Sequence, residues 1–129
     1  MALKILMKKQ ILIFCLTVFS HGPLFAQSIK RLSPQESTEV AVKKLSVLDI
    51  DEYQLKSIKT ILSEFYTSRQ KMFEDMRASG SSDHNVFQSR NNQLIQSRDD
   101  KLRLILTADQ MKKWLEEIEP ALKSPKGNH

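Results

Sequence analysis

Two short segments 56 positions apart carry the same hydrogen-bonding chemistry: Ile50-Asp51-Glu52-Tyr53-Gln54 and Leu106-Thr107-Ala108-Asp109-Gln110. Each begins with an apolar residue, continues with a side chain that accepts hydrogen bonds, and places a glutamine three positions later. Asp51 or Thr107 can cap the open N–H groups of a helix start, while Gln54 or Gln110 reaches back to the N–H of the cap, which makes a capping box. Ile50 with Leu55, and Leu106 with Met111, stand at the spacing of a hydrophobic staple. These residues start helices, so whatever the chain binds should lie on the helix faces between them.

Other reactive side chains are sparse. The cysteine Cys15 lies in the leading apolar segment, and His84 and His129 are far from each other with no second ligand one helical turn away. Asp99 and Asp100 are adjacent, about 100° apart on a helix, which suits solvent pairing better than a shared metal. Ser37, Ser46, Ser63 and Ser68 have no activating partner in recognisable context, and no glycine-rich phosphate loop occurs. The expectation is a protein with no catalytic residues, no metal and no cofactor.

The chain opens with Lys4, Lys8 and Lys9, then an apolar run from Ile11 to Phe19, then small and turn-forming residues. This pattern is that of a secretory signal peptide over residues 1–26, cleaved between Ala26 and Gln27, with a cut after Ser20 as the alternative. The apolar run is too short for a permanent membrane span, and Phe14 before Cys15 does not suit a lipobox. No stable membrane insertion is expected. Cleavage takes away three of the 20 basic residues and the cysteine, leaving 17 Lys and Arg against 15 Asp and Glu, a net charge of +2. That balance gives no reason to expect nucleic acid as a partner.

The remaining residues divide into a linker over 27–33, a single helical domain over 34–123 and a disordered tail over 124–129. Ser33-Pro34-Gln35-Glu36 predicts a first helix to about Val47, with Val40, Ala41, Val42, Leu45 and Leu48 on its apolar side. From Glu52 to about Ser79, Leu55, Ile58, Leu62, Phe65, Met72 and Met76 follow steps of three and four, with Arg69 in the one polar slot. Ile61, Tyr66 and Phe73 widen this apolar arc to about 140°, more than one neighbouring helix covers. Ser79-Gly80-Ser81-Ser82-Asp83 predicts a tight turn and, with Asp83 or Ser82 as cap, a third helix from about His84 to Ile105. The turn sets Phe87 near Met76, Leu94 near Arg69, Arg98 near Phe65 and Ile105 near Ile58. A fourth helix should carry Met111, Trp114, Leu115, Ile118 and Leu122 inward and end near Pro120 to Lys123. The fold class is all-α, with four helices and a long central antiparallel hairpin.

An exported, cysteine-free helical chain with such boxes on both sides of a long hairpin resembles the Spy/CpxP family of periplasmic proteins, marked by an L-T-x-x-Q motif. Leu106 to Gln110 matches that motif fully, and Ile50 to Gln54 departs by Ile for Leu and Asp for Thr. The resemblance implies a cradle-shaped periplasmic homodimer whose concave face binds unfolded or aggregation-prone proteins without ATP; an extracellular location ranks second. The residues expected to meet clients or a partner are Tyr66, Arg69, Met72, Phe73, Met76, Arg77 and Arg98, where arginines stand among apolar and flexible methionine groups. The alternative is that these side chains are core, with the arginine stems lying over apolar neighbours. The near-neutral charge after processing leaves a second function open, an envelope-stress modulator or structural adaptor that binds one sensor or other specific partner. A periplasmic metal sensor, as in related helical hairpins, ranks third for want of ligands.

Overall fold

A computed structural model describes residues 31–123; the proposed signal peptide and the tail lie outside the described residues, as does most of the linker. The chain divides after Arg31, and Leu32 onward is one compact unit. Among the described residues every regular element is helical.

Helix α1 (Pro34–Lys44) starts where a serine cap, a proline at the first position and Glu36 coincide. Ser33 Oγ accepts from the Glu36 N–H at 3.1 Å, and the Ser33 N–H donates to Glu36 Oε2 at 2.8 Å. Its last turn tightens into a 3₁₀ turn over Leu45–Val47, so the α-helix is one turn shorter than its apolar pattern predicts. Helix α2 (Glu52–Ala78) runs 27 residues, about 40 Å at 1.5 Å per residue. Gly80, at φ 65°, provides the left-handed turn after it, a conformation that carries no penalty in glycine. Asp83 then caps α3 (His84–Arg103) through Oδ1, which accepts from the N–H groups of Asn85 and Val86.

Helices α2 and α3 lie side by side and run in opposite directions. The Phe73 and Phe87 rings are 5.0 Å apart near the turn, Arg98 sits 4.8 Å above the Phe65 ring farther along, and Lys101 pairs with Glu64 beyond that at 2.9 Å. The loop-matched register holds for Arg98 and Phe65. At the turn end the Phe87 ring meets Phe73, one helical turn along α2 from Met76.

After the second box the chain is helical to Lys123 but not uniformly so: α4 (Ala108–Lys113) passes through a π-helical turn at Trp114–Ile118 into α5 (Glu119–Lys123). Pro120 explains the widening. Its ring would strike the carbonyl four residues back in a regular helix, and a wider turn moves that carbonyl away, with the Glu119 N–H bonding to the Trp114 carbonyl. Read as one rod, α4, the π turn and α5 make the fourth helix.

The core lies at the box end of the unit. Ala41, Leu45 and Leu48 meet Ile58 and Leu62 of α2, and Leu102, Leu106, Met111, Trp114 and Ile118 complete it. Two predicted inward residues face out: Val40 and Leu115 are each 40% exposed. At residue 115 the π turn is the cause, since it brings Ile118 and Glu119 inward together and leaves Leu115 on the outer side. Phe65 and Met72 are buried outside this cluster, on the stretch of α2 that runs toward the turn with α3 beside it.

Candidate functional site

The two capping boxes are not separate devices. Gln54 Oε1 accepts from the Asp51 N–H at 3.1 Å and Asp51 Oδ1 accepts from the Gln54 N–H at 2.7 Å, which closes the first box. Gln110 Oε1 and Thr107 Oγ1 close the second in the same way, at 2.9 and 3.2 Å. Each glutamine then uses its amide nitrogen on the opposite segment. Gln54 Nε2 donates to the Ile105 carbonyl at 2.9 Å, and Gln110 Nε2 donates to the Asp49 carbonyl at 2.8 Å. Both carbonyls stand two residues before a cap, so the exchange is reciprocal and nearly two-fold symmetric. Leu106 and Met111 are buried, and Ile50 and Leu55 pack against the core; of these bonds, Gln54 Nε2 to the Ile105 carbonyl is partly buried and the others are exposed. The box residues act as a clasp on the fold.

A second polar group, with no counterpart in the sequence reading, lies between α3 and the terminal helix. Arg98 is only 5% exposed, and its Nε donates to Asp99 Oδ1 at 2.9 Å. Its Nη2 lies 2.8 Å from Asp99 Oδ1 and 3.2 Å from Glu119 Oε2, at ion-pair distance without hydrogen-bond alignment. Trp114 Nε1 donates to the same Asp99 oxygen at 3.3 Å, the guanidinium stacks over the Trp114 and Phe65 rings, and Lys123 pairs with Glu119. Two expectations are corrected here. Arg98, expected on a partner-binding surface, is enclosed and neutralised. Asp99, expected to face solvent, is buried, while Asp100 alone faces out and pairs with Arg103 at 3.0 Å. Neighbours from another helix decide this, and helical periodicity within α3 contains no sign of them. The only local signal is that Trp114 and Glu119 bracket the proline-widened turn.

The other expected contact residues fall into two groups. Tyr66, Arg69, Phe73 and Met76 are half-buried and recur at steps of three and four, forming one stripe along α2. Met72 is buried within the hairpin and Arg77 is exposed at its end. The Tyr66 ring meets Phe65 edge-on at 5.1 Å, and Arg69 lies 5.6 Å from the Phe73 ring centre. Burial pushes the Tyr66 hydroxyl above its ordinary value of 10.0, while the Arg98 and Arg69 charges pull it down, so the hydroxyl lies within electrostatic reach of both guanidiniums. Arg69 Nε is buried and has no hydrogen-bond partner.

An open groove of about 720 Å³ runs between α1 and α2, lined by residues that include Thr38, Val42, Lys59, Thr60, Ser63 and Glu64. Its threonine hydroxyls are bonded back to the Pro34 and Lys56 carbonyls of their own helices, and Glu64 is held by Lys101. Such a lining offers few converging groups to a small ligand. Among the described residues no group of three His, Cys, Asp or Glu side chains is placed to hold a metal ion, and no helix is long and apolar enough to cross a membrane. No protein-family model matches the chain, and neither a curated protein nor a solved structure resembles it at a significant level.

Proposed function

We propose that this protein is an exported, periplasmic binding protein that holds unfolded or aggregation-prone polypeptides without ATP, working as a homodimer of the kind the Spy/CpxP resemblance implies. The observation that supports the reading best is the half-buried stripe of Tyr66, Arg69, Phe73 and Met76, which begins at Tyr66 on the edge of the main core and runs along α2 toward the turn. Aromatic rings, a flexible thioether and a cation on one face make contacts that tolerate many sequences. The clasp at the other end holds the helices that carry the stripe.

The test is light scattering from a denatured model client at low salt, with and without an equimolar amount of the purified protein. Suppressed aggregation is expected. Unchanged scattering would remove the holdase reading.

The second reading is a modulator or adaptor for one specific partner, such as an envelope-stress sensor. It is favoured by the small charge expected after processing and by the enclosure of Arg98, which takes one cation off the candidate surface. Sedimentation against protein concentration tests the dimer, and a monomer at high concentration would exclude the cradle.

A further inference from the structure

Arg98 and Arg69 both lie within electrostatic reach of Tyr66 and are in very different states. Arg98 receives a carboxylate from another segment of the chain: Glu119, carried on the amphipathic stretch that also places Trp114 and Ile118 in the core. Arg69 is half-buried against Phe73, and no Asp or Glu among the described residues lies within ion-pair distance of it. Its Nε is buried without a hydrogen-bond partner. On the opposite helix Asn91 lies between Phe87 and Arg98, hence at the level where α2 carries Arg69 between Phe73 and Phe65, and Asn91 Oδ1 is likewise buried and without a partner. Opening the seam at this level breaks no hydrogen bond of Arg69 Nε or Asn91 Oδ1, and a partner that reaches the guanidinium edge supplies Nε with the acceptor it lacks.

We propose that Arg69, flanked by Tyr66 and Phe73, is a recognition point for a carboxylate carried on an amphipathic segment of a partner polypeptide. The proposal rests on the binding function inferred above and gives its partner a chemistry. The docking of Glu119 on Arg98 is the internal precedent: a guanidinium beside aromatic rings takes a carboxylate from a segment whose apolar residues pack alongside. An Arg edge pairs with a carboxylate through two parallel N–H donors, and Nε is one of them. Tyr66 and Phe73 would receive the apolar residues that flank the acid.

The test uses the purified protein and two synthetic amphipathic peptides of one sequence, with leucine and tryptophan on one face. They differ only in glutamate or glutamine at their central positions. Fluorescence anisotropy should show the glutamate peptide binding about ten-fold more tightly, as expected for one charge-assisted bidentate pair. Arg69→Gln should abolish that preference, and Arg69→Lys should restore part of it. Arg90→Gln, at an exposed position on α3, should leave the preference intact. A mutation-free readout accompanies these: the Arg69 Nε–H resonance should move on adding the glutamate peptide and not the glutamine peptide.

A preference that survives Arg69→Gln, or falls equally with Arg90→Gln, would overturn the proposal in favour of diffuse charge. An Arg69 resonance that moves with protein concentration instead would assign the position to a second copy of the chain and overturn it too. Equal binding of both peptides removes this inference alone and leaves the binding function standing. Binding of neither peptide, with no suppression of aggregation, removes both.

Discussion

Gln54 and Gln110 hydrogen-bond to each other, Nε2 of Gln54 to Oε1 of Gln110 at 2.8 Å, while each also completes the capping box of its own helix. One oxygen therefore serves two donors: Gln110 Oε1 accepts from the Thr107 N–H and from Gln54. The shared bonds couple the starts of α2 and α4.

Replacing either glutamine by alanine should cost about 2 kcal/mol, because a cap bond and one or two bridging bonds go at once. The double replacement should cost less than the sum by about 1 kcal/mol, since the shared bonds can be lost only once. Urea unfolding of the four proteins measures the coupling. Strict additivity would mean that the two boxes act independently.

The Arg98 network should be costly to break and insensitive to salt. Asp99→Asn weakens the carboxylate that holds Arg98 Nε, Arg98 Nη2 and Trp114 Nε1, so a loss of about 3–5 kcal/mol is expected. Glu119→Gln should cost less, because Asp99 stays with Arg98. Trp114 is the single tryptophan of the chain, so its fluorescence follows both variants without interference. Loss of the Asp99→Asn effect in high salt would indicate that the pair is open to solvent.

Pro120 is expected to set the direction of Glu119. With Pro120→Ala the steric reason for the π turn is gone, and a regular α-helix turns Glu119 away from Arg98. Side-chain NMR should then show the Arg98 Nε–H and Glu119 carboxyl signals shifted, with Trp114 still buried. An unchanged Glu119 signal would mean that the core, and not the proline, maintains the wide turn.

Tyr66 gives the fold an alkaline limit. Burial raises its hydroxyl above the unfolded value of 10.0, so the folded chain keeps this proton at a pH where the unfolded chain has lost it. The stability it contributes is complete below pH 10.0 and is lost as pH rises through the folded value. Urea midpoints should therefore fall more steeply above pH 10.0 in the wild-type protein than in Tyr66→Phe. Parallel slopes would show that the hydroxyl titrates alike in both states.

Phe87 ties α3 to α2 near the turn. Phe87→Ala should cost about 1–2 kcal/mol, less than a truncation of the same ring in the main core, because Phe87 is only half-buried. Hydrogen exchange should rise in the residues near the turn and stay unchanged around Gln54 and Gln110. A uniform rise along the chain would show that the hairpin end and the core unfold as one unit.

The helix starts were legible in the residues alone because the capping bonds join positions two or three apart, a spacing that any helix start imposes whatever surrounds it. Ser33, Asp51, Asp83 and Thr107 are caps in the folded chain for the same local reason that marks them in the sequence. The apolar steps of α2 likewise predicted the burial of Ile58, Leu62, Phe65 and Met72. Local pattern could not say that Gln54 and Gln110 meet, that Asp99 turns inward, or that Arg98 leaves the surface while Arg69 stays at its edge with no carboxylate beside it among the described residues. Those outcomes depend on groups from distant segments: Glu119 and Trp114 reach Arg98 and Asp99 only because the fourth helix docks on the hairpin. A charge is buried or exposed according to the partner that arrives from elsewhere in the chain, and that partner exists only once the helices have packed.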